Sequence, residues 1–424
     1  MTGPAGLPGD PVLDLEDLGL DRGAHLLLGR ALADLPPGHG LGVAGSDAGL
    51  TVDLAAWCRR EGHRFEAAEA GGRLRGRIVR GRADLDRWSG AERAGGPAPE
   101  GIVKRPAPHW GLAARGALVE PAGRARGAPG TARPAGLGGT GGPEAMFDLA
   151  DRDVVWADLA PKLYAHAASA QWDPATAVGW DAEFTLPAPI EAAVVQVMTY
   201  LVENEQAALV IPARLLARVH PHFREVLQLL AVQAADEARH IEVFTRRALL
   251  RGGEMGTSSA GGRASLATLL REPDFSLASF LLSVLGEGSF LSLLSFLDTY
   301  APDPVTRQVT RLARQDEARH VAFGVAHLEH SCAVDPHLRG RLRAAVERRH
   351  GALADTAGLN QDVFDSLVIL AAGEWTPRSI ARGYQAVQRL QAEMDQGRQH
   401  RLSRLGFPPG EAAELSALHT RNFM

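Results

Sequence analysis

The chain has 424 residues, 45% of them apolar, enough to bury a large core and to build more than one domain. Its 45 basic and 50 acidic side chains are interspersed and leave a net charge of −5, so nothing points to nucleic acid as a partner. Two cysteines, Cys58 and Cys332, make no disulfide scaffold, and the N-terminal stretch lacks the apolar core of a signal peptide, so a cytoplasmic location is expected.

Residues 12–82 read as a small α/β domain. Val12 to Leu15 is a short strand, and Ala24 to Leu35 is a helix with Leu26, Leu27, Ala31 and Leu35 on one side. Pro36-Pro37-Gly38-His39-Gly40 ends it, and Leu41 to Ala44 forms a second strand. A second helix from Val52 to Glu61, a strand at Arg64 to Ala67, a turn at Gly71-Gly72 and a last strand at Arg73 to Val79 complete the unit.

This stretch resembles the small sulfur-carrier domains of the TusA/SirA type. The matching residues are Ala31-Leu32-Ala33-Asp34-Leu35-Pro36-Pro37-Gly38, Ser46-Asp47, and Val52-Asp53-Leu54-Ala55-Ala56-Trp57-Cys58-Arg59-Arg60-Glu61-Gly62-His63. Sulfur-carrying members place a reactive cysteine in a Cys-Pro-x-Pro motif at the start of the first helix. This chain has Asp21-Arg22-Gly23-Ala24-His25-Leu26 there, and without a thiol no persulfide forms. The resemblance therefore implies a degenerate TusA-like module with a docking or regulatory role.

Residues 84–145 are rich in Gly, Pro, Ala and Arg and read as a solvated tether, made basic by Arg115, Arg124, Arg126 and Arg133. Within it, Ile102-Val103-Lys104-Arg105 could pack back as an extended segment. A mainly helical domain is expected over 146–424. A helix near Tyr164 meets an Asp173-Pro174 turn, and Trp172 and Trp180 are expected to seal one end of a bundle, or else to line a channel.

The helical domain is organised around a repeated pentapeptide, Asp236-Glu237-Ala238-Arg239-His240 and Asp316-Glu317-Ala318-Arg319-His320. On a helix, Glu and His three apart share a face and can share an ion. Two such helices supply half of a dinuclear metal site, and the other half needs one carboxylate from each of two further helices. Glu205 continues the apolar stripe of Val194, Met198, Leu201, Ala208 and Leu215, whereas Glu203 lies off it. Glu287 is the sole charged residue between Asp274 and Asp298, and a buried carboxylate there is costly unless paired or metal-bound. The run at 277–297 has the look of a membrane span, but Glu287 at its centre argues for a buried bundle helix.

Chain travel from Glu205 to the His220-Pro221 turn nearly equals that from the turn to Glu237, so an antiparallel pair brings both to one level. Glu287 and Glu317 behave alike around Tyr300 to Pro304. With a Gly/Ser-rich crossover near 251–265, this is ferritin-like topology. His327 lies two turns beyond His320, about 10 Å along the axis, too far to share its metal. Asp236 and Asp316 are candidates to orient the histidine of the opposite pair, the alternative being ordinary salt bridges to Arg239 or Arg319. Helices over 338–350, 361–371 and 377–404 and a short terminal one follow.

Four carboxylates and two imidazoles without thiolates suit two iron ions, manganese, or a mixed Mn/Fe pair. On Glu205-Gln206-Ala207-Ala208-Leu209 and Asp316-Glu317-Ala318-Arg319-His320-Val321-Ala322-Phe323, residues 190–330 resemble the ferritin-like di-iron carboxylate oxidase/oxygenase superfamily. N-oxygenating relatives carry a further histidine where this chain has Ala313. The resemblance implies activation of dioxygen to oxidise a small-molecule substrate, with electrons from a reductase or other donor. Glu237 and Glu317 would bridge the metals, His240 and His320 would each hold one, and Glu205 and Glu287 would be terminal carboxylates. A homodimer is compatible with this reading, and no membrane partner is expected. The alternatives are iron handling or peroxide reduction, and a non-catalytic scaffold.

Overall fold

The computed structural model describes residues 9–70, 73–82, 88–119, 147–353 and 361–420. The chain divides into two compact units, one running to Arg93 and joined by Leu118–Val119, the other comprising 94–117 and the helical remainder.

The first unit is a small α/β sandwich. Strand β1 (Val12–Asp14) leads through α1 (Ala24–Ala33) to β2 (Gly40–Gly45), and α2 (Leu50–Glu61) leads to β3 (Arg64–Ala70) and β4 (Arg73–Val79). The sheet order is β1-β2-β4-β3, with β1 parallel to β2 and the other pairings antiparallel. Leu28 and Leu32 of α1 and Leu54 and Cys58 of α2 pack with Leu41, Val43, Leu74 and Ile78. The core is thus made by the apolar stripes of two helices against one sheet. Cys58 is buried within it, and burial pushes its thiol up to about 12. The expected Gly71-Gly72 turn lies outside the described residues. A short antiparallel pair, β5 (Glu92–Arg93) with β6 (Leu118–Val119), ends the unit.

The second unit begins inside the stretch read as a tether. Ile102, Trp110 and Arg115 are buried, and Arg115 pairs with the buried Glu225. Val103 N–H donates to His222 Nε2 at 3.1 Å, the Lys104 carbonyl accepts from Arg152 N–H at 2.8 Å, and Arg105 reaches Asp151 at 2.8 Å. Two apolar anchors and a buried ion pair hold this segment to the helices, so 94–117 is no solvated tether. Arg124, Arg126 and Arg133 fall outside the described residues.

After α3 (Arg152–Val155) and α4 (Ala160–Ser169) come the bundle helices α5 (Ala188–Leu216) and α6 (Arg224–Leu249), which pack as one hairpin. The connection expected over 251–265 contains a helix, α7 (Ala260–Leu270), whose N-terminus is capped by Ser259 accepting from Gly262 N–H at 2.9 Å. Helix α8 (Phe275–Tyr300) and α9 (Pro304–Val334) form the second hairpin, each started by an aspartate cap, Asp274 and Asp303. Helix α8 is long and apolar enough to cross a membrane, but 78% of its most apolar window is buried by its neighbours.

Residues Phe280–Glu287 of α8 form a π-helix. This segment lies close to α9, where a side chain at Gly324 would collide with Ser283, so glycine permits the approach. Helices α10 (Leu338–Leu353), α11 (Gln361–Ala372), α12 (Pro377–Arg404) and α13 (Pro409–Thr420) surround the bundle. The architecture is therefore an N-terminal mixed sheet with two helices, followed by a ferritin-like helical bundle with additional C-terminal helices.

Candidate metal centre

The two hairpins bring six side chains from four helices to one level. Glu205 of α5, Glu237 and His240 of α6, Glu287 of α8, and Glu317 and His320 of α9 are all at most 4% exposed. Glu203, two residues from Glu205, is half-buried and lies off this face. The six side chains form two overlapping groups, Glu205-Glu237-His240-Glu317 and Glu237-Glu287-Glu317-His320. Within each group the donor atoms lie within 4.8 Å of one another, and Glu237 and Glu317 belong to both.

Imidazole orientation is defined by crossed contacts. His240 Nδ1 lies 3.1 Å from Glu237 Oε2, 3.6 Å from Glu205 Oε1 and 3.5 Å from Glu317 Oε1, while its Nε2 meets Asp316 Oδ2 at 3.2 Å. His320 Nδ1 lies 3.0 Å from Glu237 Oε1 and 3.4 Å from Glu317 Oε2, and its Nε2 meets Asp236 Oδ2 at 3.2 Å. Each aspartate thus serves the histidine on the opposite helix and leaves Nδ1 aimed at the carboxylates. The same aspartates also pair with arginine. Arg239 joins Asp236 to Asp316, and Arg319 joins Asp316 to Asp236. The orienting contact and the salt bridge, alternatives on paper, coexist.

Two neighbours complete this layer, Trp172, expected at a bundle end or channel, and Gln171, which the sequence reading assigned no role. Trp172 Nε1 donates to Asp316 Oδ2 at 2.8 Å, and its ring stacks near His240 with centroids 6.5 Å apart. Gln171 Nε2 donates to Asp236 Oδ1 at 3.1 Å. The loop after α4 therefore covers the aspartate layer, which is a more specific task than closing a bundle end. Gln233, one turn before Glu237, donates to Glu287 Oε1 at 3.0 Å. Its position four residues before a ligand-type glutamate was the available signal. Trp180 is buried elsewhere, with its Nε1 donating to the Pro174 carbonyl. His327 is fully buried between Phe275 and Phe323 and is not part of the cage, and burial pushes it down to about 4. Ala313 is buried apolar surface.

The electrostatics separate the carboxylates into two kinds. Burial, and then the charges of Glu237 and Glu317, raise Glu205 well above its ordinary range. Burial and the Glu317 charge do the same to Glu287. For Glu237 burial acts upward, but His320 and His240 outweigh it and hold the carboxyl below its usual range. Burial disfavours the charged imidazoles, yet the surrounding carboxylates raise both His240 and His320.

The fit to a metal pair rests on atoms left without partners. Among the described residues, Glu205 Oε1, Glu237 Oε1, Glu287 Oε2, both oxygens of Glu317 and His320 Nδ1 are buried with no contact of hydrogen-bonding geometry, even where they approach as closely as His320 Nδ1 and Glu237 Oε1 at 3.0 Å. Each of these groups that stays ionised without a partner costs several kcal/mol to bury. Cations between them would offset that cost, and an oxygen-rich set with two imidazoles suits iron or manganese. Both cysteines are remote from this set, one in each unit.

No family model matches the chain, and no curated protein does. Among solved structures it is similar to an R2-like ligand-binding oxidase mutant with an aerobically reconstituted Mn/Fe cofactor, at 18% identity and a TM-score of 0.43, over 58% of this chain and 95% of that one. A mutant with an Fe/Fe cofactor matches at 18% identity and a TM-score of 0.44, over 58% and 94%. The R2-like ligand-binding oxidase from Sulfolobus acidocaldarius matches at 16% identity and a TM-score of 0.39, over 56% and 90%. Likeness this distant assigns no activity to this chain.

Proposed function

We propose that the helical unit is a dinuclear non-haem metal oxidase or oxygenase, loaded with two irons or with manganese and iron, that activates dioxygen to oxidise a small organic substrate. One observation carries the reading. Two buried four-residue groups share two glutamates, and their unpartnered donor atoms converge. When bound, the metal pair would supply electrons to dioxygen and polarise it, with an external donor restoring the reduced state.

The residues around that pair do the rest. Glu237 and Glu317 would span both positions, His240 and His320 would hold one metal each through Nδ1, and Glu205 and Glu287 would complete the two ends. Asp316 and Asp236 keep the two rings turned, accepting at Nε2. Trp172 and the Asp–Arg layer close one side against water. On the other side an apolar cavity reaches Glu205, Glu287 and Glu317. Glu287 stands at the end of the π-helical turn beside it, where a terminal carboxylate has room to shift.

The test is to strip the full-length chain of metal, reload it anaerobically with Fe(II) alone or with Mn(II) and Fe(II), count metals per chain, and then admit dioxygen. Two metals per chain with stoichiometric oxygen uptake and a new visible absorption support the reading. Fewer than two metals and no oxygen uptake overturn it.

A further inference from the structure

Helix α8 changes register just before Glu287. In an α-helix the Gly288 N–H would serve the Val284 carbonyl, four residues back. Here it is bound to the Ser283 carbonyl, five residues back, as the π-helical stretch requires. The Val284 carbonyl accepts from a side chain, Arg401 Nε of α12, at 2.7 Å. The next carbonyl, that of Leu285, accepts from Ser289 Oγ at 2.7 Å. Ser289 is wholly buried and in turn accepts from Arg398 Nη1 at 3.2 Å. Two successive carbonyls beside Glu287 are thus held by side chains, one by α12 directly and one at a single remove from it.

Ion pairing does not account for Arg401. Among the described residues it has no carboxylate partner, and the charge acting on it is that of Arg398. Its Nη2 is buried without a hydrogen bond. Burial lowers Arg398 and Arg401 to about 10, which leaves both charged at neutral pH. Arg349 of α10 adds to these cationic surroundings, since all three arginines act on His419. Holding cations there is costly, and what they meet is a pair of carbonyls that the π-register takes out of the α-helical ladder. The backbone is cut to fit them. A Cβ at Gly288 would collide with the Arg401 guanidinium, so glycine beside Glu287 admits that side chain. Arg398 is itself fixed by Nε to Ser416 Oγ of α13 at 3.0 Å, which anchors the contact in two outer helices.

We propose that Arg401, supported by Arg398 through Ser289, is a positioning residue for Glu287: it stabilises the π-register and so fixes the backbone from which that carboxylate enters the cage. This rests on the cage being a metal centre. Glu287 is then held from two sides. Gln233 donates to its Oε1 at 3.0 Å, and Arg401 holds the chain three residues before it. Its counterpart Glu205 stands in a regular α-helix. The clamp therefore acts on one group of donor atoms, Glu237-Glu287-Glu317-His320, and leaves Glu205-Glu237-His240-Glu317 alone. It also gives the outer helices a route to one metal position. Displacing α12 withdraws Arg401, lets the segment revert toward α-helical bonding and rotates Glu287.

The experiment titrates the metal-free, full-length chain with Co(II), followed by visible absorption and chelator competition, and measures amide hydrogen exchange on the metal-free samples. Arg401→Met should weaken one of two bound ions by about tenfold or more and leave the other within about twofold. Arg401→Lys, which keeps a donor for the Val284 carbonyl, should recover part of the loss. In a Glu287→Ala background, Arg401→Met should change metal binding no further. Without metal, the amides of 284–289 should exchange about tenfold faster in Arg401→Met, with those around Glu205 unchanged. Equal weakening of both ions, no weakening, or exchange that does not change selectively overturns the proposal. Ser289→Ala removes a single hydroxyl and should show the same selective change at smaller size. Its silence overturns the proposal even where Arg401→Met does not fold. The two readings fail separately. Fewer than two Co(II) in the wild type, with the selective exchange change present, sinks the dinuclear centre alone, and two ions without that change sink the clamp alone.

Discussion

The two hairpins of the bundle carry the same ligand-type residues but present them differently. In α5–α6 the lone glutamate, Glu205, sits inside a regular α-helix. In α8–α9 its counterpart, Glu287, ends a π-helical stretch between Gly286 and Gly288 and accepts a hydrogen bond from Gln233 of the other hairpin. π-Turns widen the helix and misalign its carbonyls, and such segments collect at functional sites. Arg401 takes up one of those carbonyls, that of Val284. The repeated pentapeptides are nearly symmetric, whereas the lone glutamates are not. The difference teaches, on the proposed function, that the symmetric pentapeptides would retain the metals while the asymmetric glutamates would leave one side open to change.

The largest test of that comparison removes a shared residue. Glu317→Ala is expected to abolish binding of both metals, whereas Glu205→Ala or Glu287→Ala should each leave about one, since only Glu237 and Glu317 belong to both groups. Elemental analysis of metals per chain decides; one metal retained by Glu317→Ala would break the sharing.

Next in size is the joint between the hairpins. Arg247 of α6 is wholly buried and pairs with Asp303 at 2.8 Å, Thr306 Oγ1 at 2.8 Å and Glu191 at 2.7 Å. Arg247→Met strands a buried carboxylate and should cost about 3–5 kcal/mol in urea unfolding.

A smaller effect is expected from His327, which lies in the second hairpin with no counterpart in the first. Its folded-state value is depressed to about 4, so the unfolded chain takes up the proton first. The stability it protects is complete above the ordinary histidine range near 6.5 and is lost as pH falls toward 4, by up to about 3 kcal/mol. His327→Leu should flatten the unfolding free energy between those pH values.

Smaller still, Asp236→Asn and Asp316→Asn should each weaken metal binding by about tenfold, through the histidine on the opposite helix. Trp172→Phe should act only through Asp316 and more weakly, as seen by competitive chelation.

Much of this was legible in the chain. Glu237, His240, Glu317 and His320 stand out because helical spacing of three is readable locally. Glu205 and Glu287 stand out because a charge interrupts an apolar stripe. The strands and helices of the first unit followed from short apolar runs between Gly/Pro turns, and observed ends differ by a few residues. What stayed hidden depends on partners far apart in the chain. Gln171 and Trp172 meet aspartates 65 and 144 positions away, and composition carries no trace of that pairing. The packing-back of Ile102 to Arg105 was anticipated, but the rest of 94–117 was misread because Gly, Pro and Arg dominate their neighbourhood, while the anchors Ile102 and Trp110 are only two side chains. The π-helix was unreadable because its apolar run satisfies helical spacing regardless of which carbonyl each N–H finds. Arg349, Arg398 and Arg401 look like solvated charges until the outer helices cover them.

The crossed pairing of aspartate and histidine also bears on when a newly made chain can take up metal. His240 leaves the ribosome roughly 80 residues before His320, a lag of ~4–16 s at ordinary elongation rates. During that interval the first hairpin holds a histidine whose orienting partner, Asp316, has not been synthesised. Nascent chains would therefore offer passing ions only a loose, incomplete cage. On the proposed function, metal choice would wait until α9 has docked, when the two groups of donor atoms first exist together.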